Sequence, residues 1–275
     1  MKKLATILSM LLFCVAAKAQ TDTSFSLVKS ISGDIVSFTV DNLDNIYILN
    51  SRNQVKKLNA NGDSVAVYND VKKFGQATLI DVSNPLKLLL YYKDYATVVV
   101  LDRFLNAVNV IDLRKENIFQ VKAIGQSYDN KIWLYDELEG KLKKIDEDGK
   151  LLQETPDFRQ LLGQAPSPIK IFDENKYVYL YDSAKGVYVF DYFGVLKNSI
   201  MIEHWHNFKV AGKYIFGSGK GMLYRYEIST FRLDDWAMPK EIANSKAFNF
   251  SSSRLYALMK NAGENFSTIT IYTIR

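Results

Sequence analysis

The sequence predicts an all-β chain folded as a six-bladed β-propeller with four antiparallel strands per blade. Three observations carry that reading. A phrase of about 40 residues, made of four short apolar runs, returns along the chain six times. Its joints are rich in Asn, Asp and Gly, which tolerate tight turns. Finally, the two ends of the chain each carry part of one repeat, so an N-terminal strand completes the last blade.

The first copy contains strands at Phe38–Val40, Ile46–Leu49, Val55–Leu58 and Val65–Tyr68. Between the last two, Asn61-Gly62-Asp63 is a hairpin signal, because Asn and Gly accept positive φ. A second copy runs from Asn84 ("NPLKLLLYYKDYATVVVLDRFLNAVNVI"), and a third from Tyr128 ("YDNKIWLYDELEGKLKKIDEDGKLL"). The fourth begins at Phe172, with Phe193-Gly194 at its hairpin; looser copies start at Val210 and Phe250. Anchored on the second strand, Ile46, Leu88, Ile132, Tyr177, Tyr214 and Leu255 are spaced by 42, 44, 45, 37 and 41 residues. A four-stranded unit of this kind cannot bury both faces alone, and radial stacking buries them against neighbours. The last copy supplies only Ala247–Phe250, Leu255–Met259 and Thr268–Ile274. Phe25–Ile31 is the missing fourth strand, and pairing it there removes an exposed edge.

Residues 1–19 are set apart from the fold. Lys2 and Lys3, an apolar run from Leu4 to Ala16, and Ala17-Lys18-Ala19 are the parts of a secretory signal peptide. Cleavage after Ala19 makes Gln20 the first mature residue and leaves residues 20–275 as one propeller domain. Cys14 lies inside the apolar run, but Phe13 occupies the position where a lipidation signal has a small residue, so lipoprotein anchoring is not expected. The mature chain then has no thiol and no disulfide. Loss of Lys2, Lys3 and Lys18 takes the net charge from +5 to +2, too little to argue for nucleic acid. No later segment has the 18 or so unbroken apolar residues of a membrane span.

The unit D-x-x-D-N-I-Y-I … V-K-K-L-N-x-x-G resembles the NHL-type and related six-bladed propellers, and the resemblance covers nearly the whole mature chain. It implies blade geometry and leaves chemistry open, since that broad class includes scaffolds, ligand binders and a minority of hydrolases and lyases. Its lactonase-like members ligate a cation in the channel with Glu, Asn and Asp. Here Asp41, Asp129 and Asp173 recur at one blade position, which is the behaviour of turn caps. The three Trp of the chain lack the regular spacing of quinone-cofactor propellers.

Both histidines lie in "EHWHN", Glu203–Asn207. On a strand, His204 and His206 would share one face, but no third ligand accompanies them, so neither metal nor cofactor is expected. "IDEDGKLL" (145–152) lacks the 12-residue frame of a calcium loop and reads as a hairpin turn. "GSGKGM" (217–222) joins two strands rather than opening a helix, and reads as a flexible inter-strand loop instead of a phosphate cradle.

Loops 112–120, 154–168, 202–207 and 235–245 join successive blades and share one rim of the ring. They carry Arg114, Phe158, Arg159, His204, Trp205, His206 and Trp236, the residue types that dominate binding hot spots. The expected function is therefore non-catalytic docking of an envelope or secreted protein, or a surface polymer, in the periplasm or outside, with peripheral contact to an outer-membrane complex as one form of it. A lactonase-like hydrolase or lyase working in the channel is the alternative.

Overall fold

The computed structural model describes residues 25–251, 253–260 and 266–274. The signal-peptide reading of residues 1–19, Cys14 and the cleavage point before Gln20 lie outside them.

Six four-stranded antiparallel sheets form the molecule. Blade 1 contains β2 (Ser37–Val40), β3 (Ile46–Leu49), β4 (Val55–Leu58) and β5 (Ser64–Tyr68). Blade 2 has β6 (Leu79–Asn84), β7 (Lys87–Tyr92), β8 (Thr97–Asp102) and β9 (Ala107–Asp112). In blade 3 these are β10 (Val121–Gln126), β11 (Ile132–Asp136), β12 (Lys141–Ile145) and β13 (Leu151–Glu154). Blade 4 comprises β14 (Lys170–Glu174), β15 (Tyr177–Asp182), β16 (Gly186–Asp191) and β17 (Leu196–Ile200). Blade 5 comprises β18 (His206–Ala211), β19 (Tyr214–Gly219), β20 (Met222–Glu227) and β21 (Arg232–Ala237). Blade 6 takes β22 (Ala247–Phe250), β23 (Arg254–Lys260) and β24 (Ser267–Ile274), and its outer strand is β1 (Phe25–Gly33). The register between β1 and β24 runs from Phe25 opposite Ile274 to Gly33 opposite Ser267. The ring therefore closes by pairing the two ends of the chain.

Each strand with apolar residues on both faces is buried on both, because a blade is sandwiched between two others. β7 ("KLLLYY") shows this: Leu89 and Tyr91 pack into the seam with blade 3, Leu88, Leu90 and Tyr92 into the seam with blade 1. Hairpins between third and fourth strands repeat one device. Asn59, Asp102, Asp146 and Asp191 each accept the backbone N–H groups two and four residues on, which closes the turn around a side-chain oxygen. The acidic run at 146–148 is thus turn chemistry.

Up-and-down strands put the first-to-second and third-to-fourth turns on one face of the ring. The second-to-third turns and the connections between blades lie on the other, the rim face. Each connection on that face sends a large apolar side chain down into the seam below it. These plugs are Ile35, Phe74, Leu113 with Ile118, Phe158, Ile202 with Trp205, and Ile242, one set for each of the six seams. A seam widens outward, so its outer top needs side chains that the strands cannot supply.

Candidate functional site

The plugs correct the reading of the rim. Phe158 is fully buried and stacks on Phe190, with ring centroids 4.9 Å apart. Trp205 is 9% exposed and stacks on Tyr224 at 4.8 Å; its backbone N–H and C=O both bond the Tyr181 hydroxyl. A Cβ on Gly217 would come within 2.5 Å of the indole, so β19 has glycine where the ring lies. Neither aromatic ring is free to touch a partner, because both fill seams. Trp205→Ala is expected to cost roughly 3–4 kcal/mol of stability, the range for emptying a buried aromatic site. Urea unfolding measures this; unchanged stability would show that the ring is not core.

The remaining predicted residues are exposed but dispersed over blades. Arg114 pairs with Asp112 two residues away, at 2.8 Å. Arg159 binds Asp157 and donates to the Glu139 carbonyl, tying the connection between blades 3 and 4 to the turn beside it. His204 sits in a bend at φ 59°, while His206 opens β18. The two imidazoles do not share a strand, so the alternation that would put them on one face does not apply. Among the described residues no group of three or more His, Cys, Asp and Glu could hold a metal ion. The 217–222 stretch is a tight hairpin in place of a flexible loop: Lys220 and Gly221 both have positive φ (51° and 75°), as a two-residue primed turn requires.

Of the three recurring aspartates, Asp41 caps its turn through the N–H groups of Leu43 and Asn45. Asp129 mainly pairs with Lys144, at 2.9 Å. Asp173 is no cap at all. From blade 4 it accepts Ser127 Oγ (2.8 Å) and the buried Trp133 Nε1 (3.0 Å) of blade 3, and the Tyr192 hydroxyl (2.6 Å) of its own blade. Lys144 Nζ lies beside it, 5.0–5.7 Å from the ring centroids of Trp133, Tyr128 and Tyr192. The group locks blades 3 and 4 together.

One seam is built differently from the other five. Third strands β4, β8, β12 and β16 are largely buried, yet all six residues of β20 are only half-buried. The cluster in the seam between blades 5 and 6 consists of Ile242, Phe248, Leu255 and Ala257, and the partly buried Leu223 of β20 and Met238 just after β21 pack against it. The face of blade 5 turned to blade 6 is instead a set of cross-strand rows. Lys209, Phe216, Arg225 and Asp234 stand opposite one another in the middle row. His206, Ser218, Leu223 and Trp236 form the row nearest the rim, while Tyr214, Glu227 and Arg232 form the third. Two predicted residues, His206 and Trp236, therefore share a row.

Ion pairs and ring contacts hold the charged side chains of this face. Arg225 lies 5.0 Å from the Tyr214 ring and 5.2 Å from that of Trp236, and is paired to Asp234 at 2.8 Å. Arg232 reaches the other oxygen of Asp234. Hydrogen bonds from the two guanidiniums hold the Asp234 carboxyl below the usual carboxylate range. Further in, burial pushes the Lys209 ammonium down, opposed by the charges of Asp44 and Asp41; Lys209 donates to the Phe250 carbonyl. Trp236 remains 48% exposed. Sequence reasoning missed Tyr214, Phe216 and Arg225; a cation in this row is no signal by itself, since blades 1 and 3 have Lys57 and Lys144 there.

The WD40 domain of Neurospora crassa Pan2 superposes with a TM-score of 0.62 at 8% identity, over 91% of this chain and 95% of that one. Virginiamycin B lyase from Staphylococcus aureus gives 0.61 at 10% identity, over 91% and 100%. A streptogramin B lyase gives 0.57 at 14% identity, over 86% and 78%. At such identities the likeness is one of fold, and the class defined is the β-propeller, here with six blades. No family model matches the sequence, and no curated protein matches it.

Proposed function

We propose that this chain is an exported propeller of the NHL-like type that binds an envelope or secreted protein, or a surface polymer, without catalysing a reaction on it. Export rests on the leader read from residues 1–19. The NHL-like assignment rests on the repeated blade unit and implies no chemistry by itself. The observation that carries the binding reading is the half-exposed face of blade 5. A propeller gains stability by burying its blade faces. Here the chain presents Tyr214, Arg225 and Trp236, types that supply large, rigid contact area. No helix among the described residues is long and apolar enough to cross a membrane.

The test uses the tagged chain lacking residues 1–19 to capture material from envelope and culture fractions. Wild type and Phe193→Ala, a change at an exposed tip on the opposite face, are expected to retain the same component. Trp236→Ala is expected to weaken its retention about thirtyfold, the ~2 kcal/mol of a hot spot. Capture lost by Phe193→Ala and kept by Trp236→Ala would place binding on the wrong face. Turnover of a lactone or of virginiamycin B by the purified chain would favour the hydrolase or lyase alternative.

A further inference from the structure

The outer edge of blade 5 narrows the chemistry of the partner. We infer that β21 takes an extended, acidic segment of a protein partner as a fifth strand of the blade, an inference that deepens the binding reading above and rests on it. Two features of this strand carry it: an unpaired edge, and a surplus of cations beside that edge. β21 is hydrogen-bonded on one side only, to β20, so the backbone N–H and C=O groups of its other side have no strand to pair with. Every blade has an outer edge of this kind. In β21, however, five of the six residues are exposed, a larger share than in any other outer strand.

The side chains of β21 alternate between its two faces. Arg232, Asp234 and Trp236 lie on the face whose rows also hold Arg225 and, innermost, Lys209; Lys213 adjoins it at the hairpin end. These four cations meet two carboxylates, and both carboxylates are taken: Asp234 binds the two guanidiniums, and Glu227 binds Lys213 at 2.6 Å. Each guanidinium has more N–H donors than its share of one carboxylate can use. Arg232 and Lys213 keep 66% and 60% of their side chains exposed, so the surplus is open to an anion. On the other face of β21, Leu233 is 52% exposed and Asp235 follows two positions on. A segment paired along this edge thus lays acidic side chains beside Arg232 and apolar ones beside Leu233, where Asp235 disfavours a further acid. An acidic polysaccharide could meet the guanidiniums, but it has no backbone ladder to match the edge, and strand addition draws its affinity from main-chain hydrogen bonds.

The experiment is fluorescence anisotropy of the chain lacking residues 1–19 with the fluorescein-labelled peptide Val-Glu-Val-Glu-Val-Glu-Val. Binding is expected, and it should weaken as salt is raised. The same peptide with Lys for Glu, or with Pro in place of its inner valines, should bind at least tenfold more weakly, since proline removes ladder donors. Arg232→Glu should weaken the acidic peptide at least tenfold and strengthen the lysine peptide; Arg232→Ser should weaken the first without strengthening the second. Melting curves confirm that both variants fold. Equal binding of the Glu and Lys peptides would overturn the charge assignment. Equal binding of the proline peptide, or its displacement by polygalacturonate as readily as by unlabelled acidic peptide, would overturn strand pairing and leave an anionic polymer held by charge alone. If no peptide binds while Trp236-dependent capture persists, this inference falls and the binding reading stands. Loss of both removes both.

Discussion

A chain lacking residues 1–33 is expected to lose cooperative folding at 37 °C, or to melt at least 10 °C below the chain that begins at Gln20. The reason is ring closure. β1 pairs with β24 through eight registered positions, and it is the only strand of blade 6 supplied by the other end of the chain. Its removal leaves β24 as a long unpaired edge and frees the closing blade from its N-terminal tie. Hydroxyl bonds Ser26–Thr273 and Ser32–Thr268 go with it, as does the Lys29 bond to the Asn61 carbonyl of blade 1. Domains of this kind have about 5–15 kcal/mol of stability in all, so a closing strand is a large fraction. The exposed edge also invites intermolecular pairing. Circular dichroism melts and sedimentation measure the two effects. A rescue completes the test: residues 25–33 appended after Ile274 through a short Asn-Gly turn should restore the melt, since Phe25 already lies opposite Ile274. An unchanged melting temperature and a monomeric truncated chain would overturn the closure argument.

Asp173→Ala is the second large effect, with an expected loss of about 4 kcal/mol. The substitution orphans the Nε1–H of the fully buried Trp133, the Ser127 hydroxyl, itself 4% exposed, and the Tyr192 hydroxyl. Each buried donor left without an acceptor costs about 1–3 kcal/mol, and the three are not additive. Tyr192 also stacks on Tyr128 at 4.7 Å, so its release loosens the aromatic wall around Lys144. At about 2–4 °C per kcal/mol for a chain of this size, the melting point should drop by roughly 10 °C. Asp173→Asn keeps one acceptor oxygen and should cost less than half as much. A loss under about 1 kcal/mol for the alanine variant would mean that Asp173 acts only on its own turn, as recurrence alone suggested.

That contrast shows where sequence reasoning ends. Asp41, Asp129 and Asp173 look like one position of the repeat in the sequence, and recurrence implied one role. The strand registers separate them: Asp41 directly follows β2, Asp129 lies three residues beyond β10, and Asp173 is inside β14, so each meets different donors. The same logic, applied to apolar residues, would have served better on the rim. One large apolar residue recurs in each connection between blades, and such recurrence signals packing. Phe158 and Trp205 were read by residue type, and type does not distinguish a hot spot from a plug.

Alternation, turn residues and a period near 40 determined six blades, their strands and the closing role of Phe25–Ile31 without any coordinates. Those features are local: each depends on residues a few positions apart, or on comparison of one repeat with the next. Burial across a seam is not local. How far the seam beside Arg225 is filled depends on blade 6 residues such as Leu255 and Tyr272, which lie about 30 to 50 positions further along the chain. The half-buried seam beside blade 5, the clamp at Asp173 and the six plugs were decided by the tertiary structure, because each is made by two blades at once.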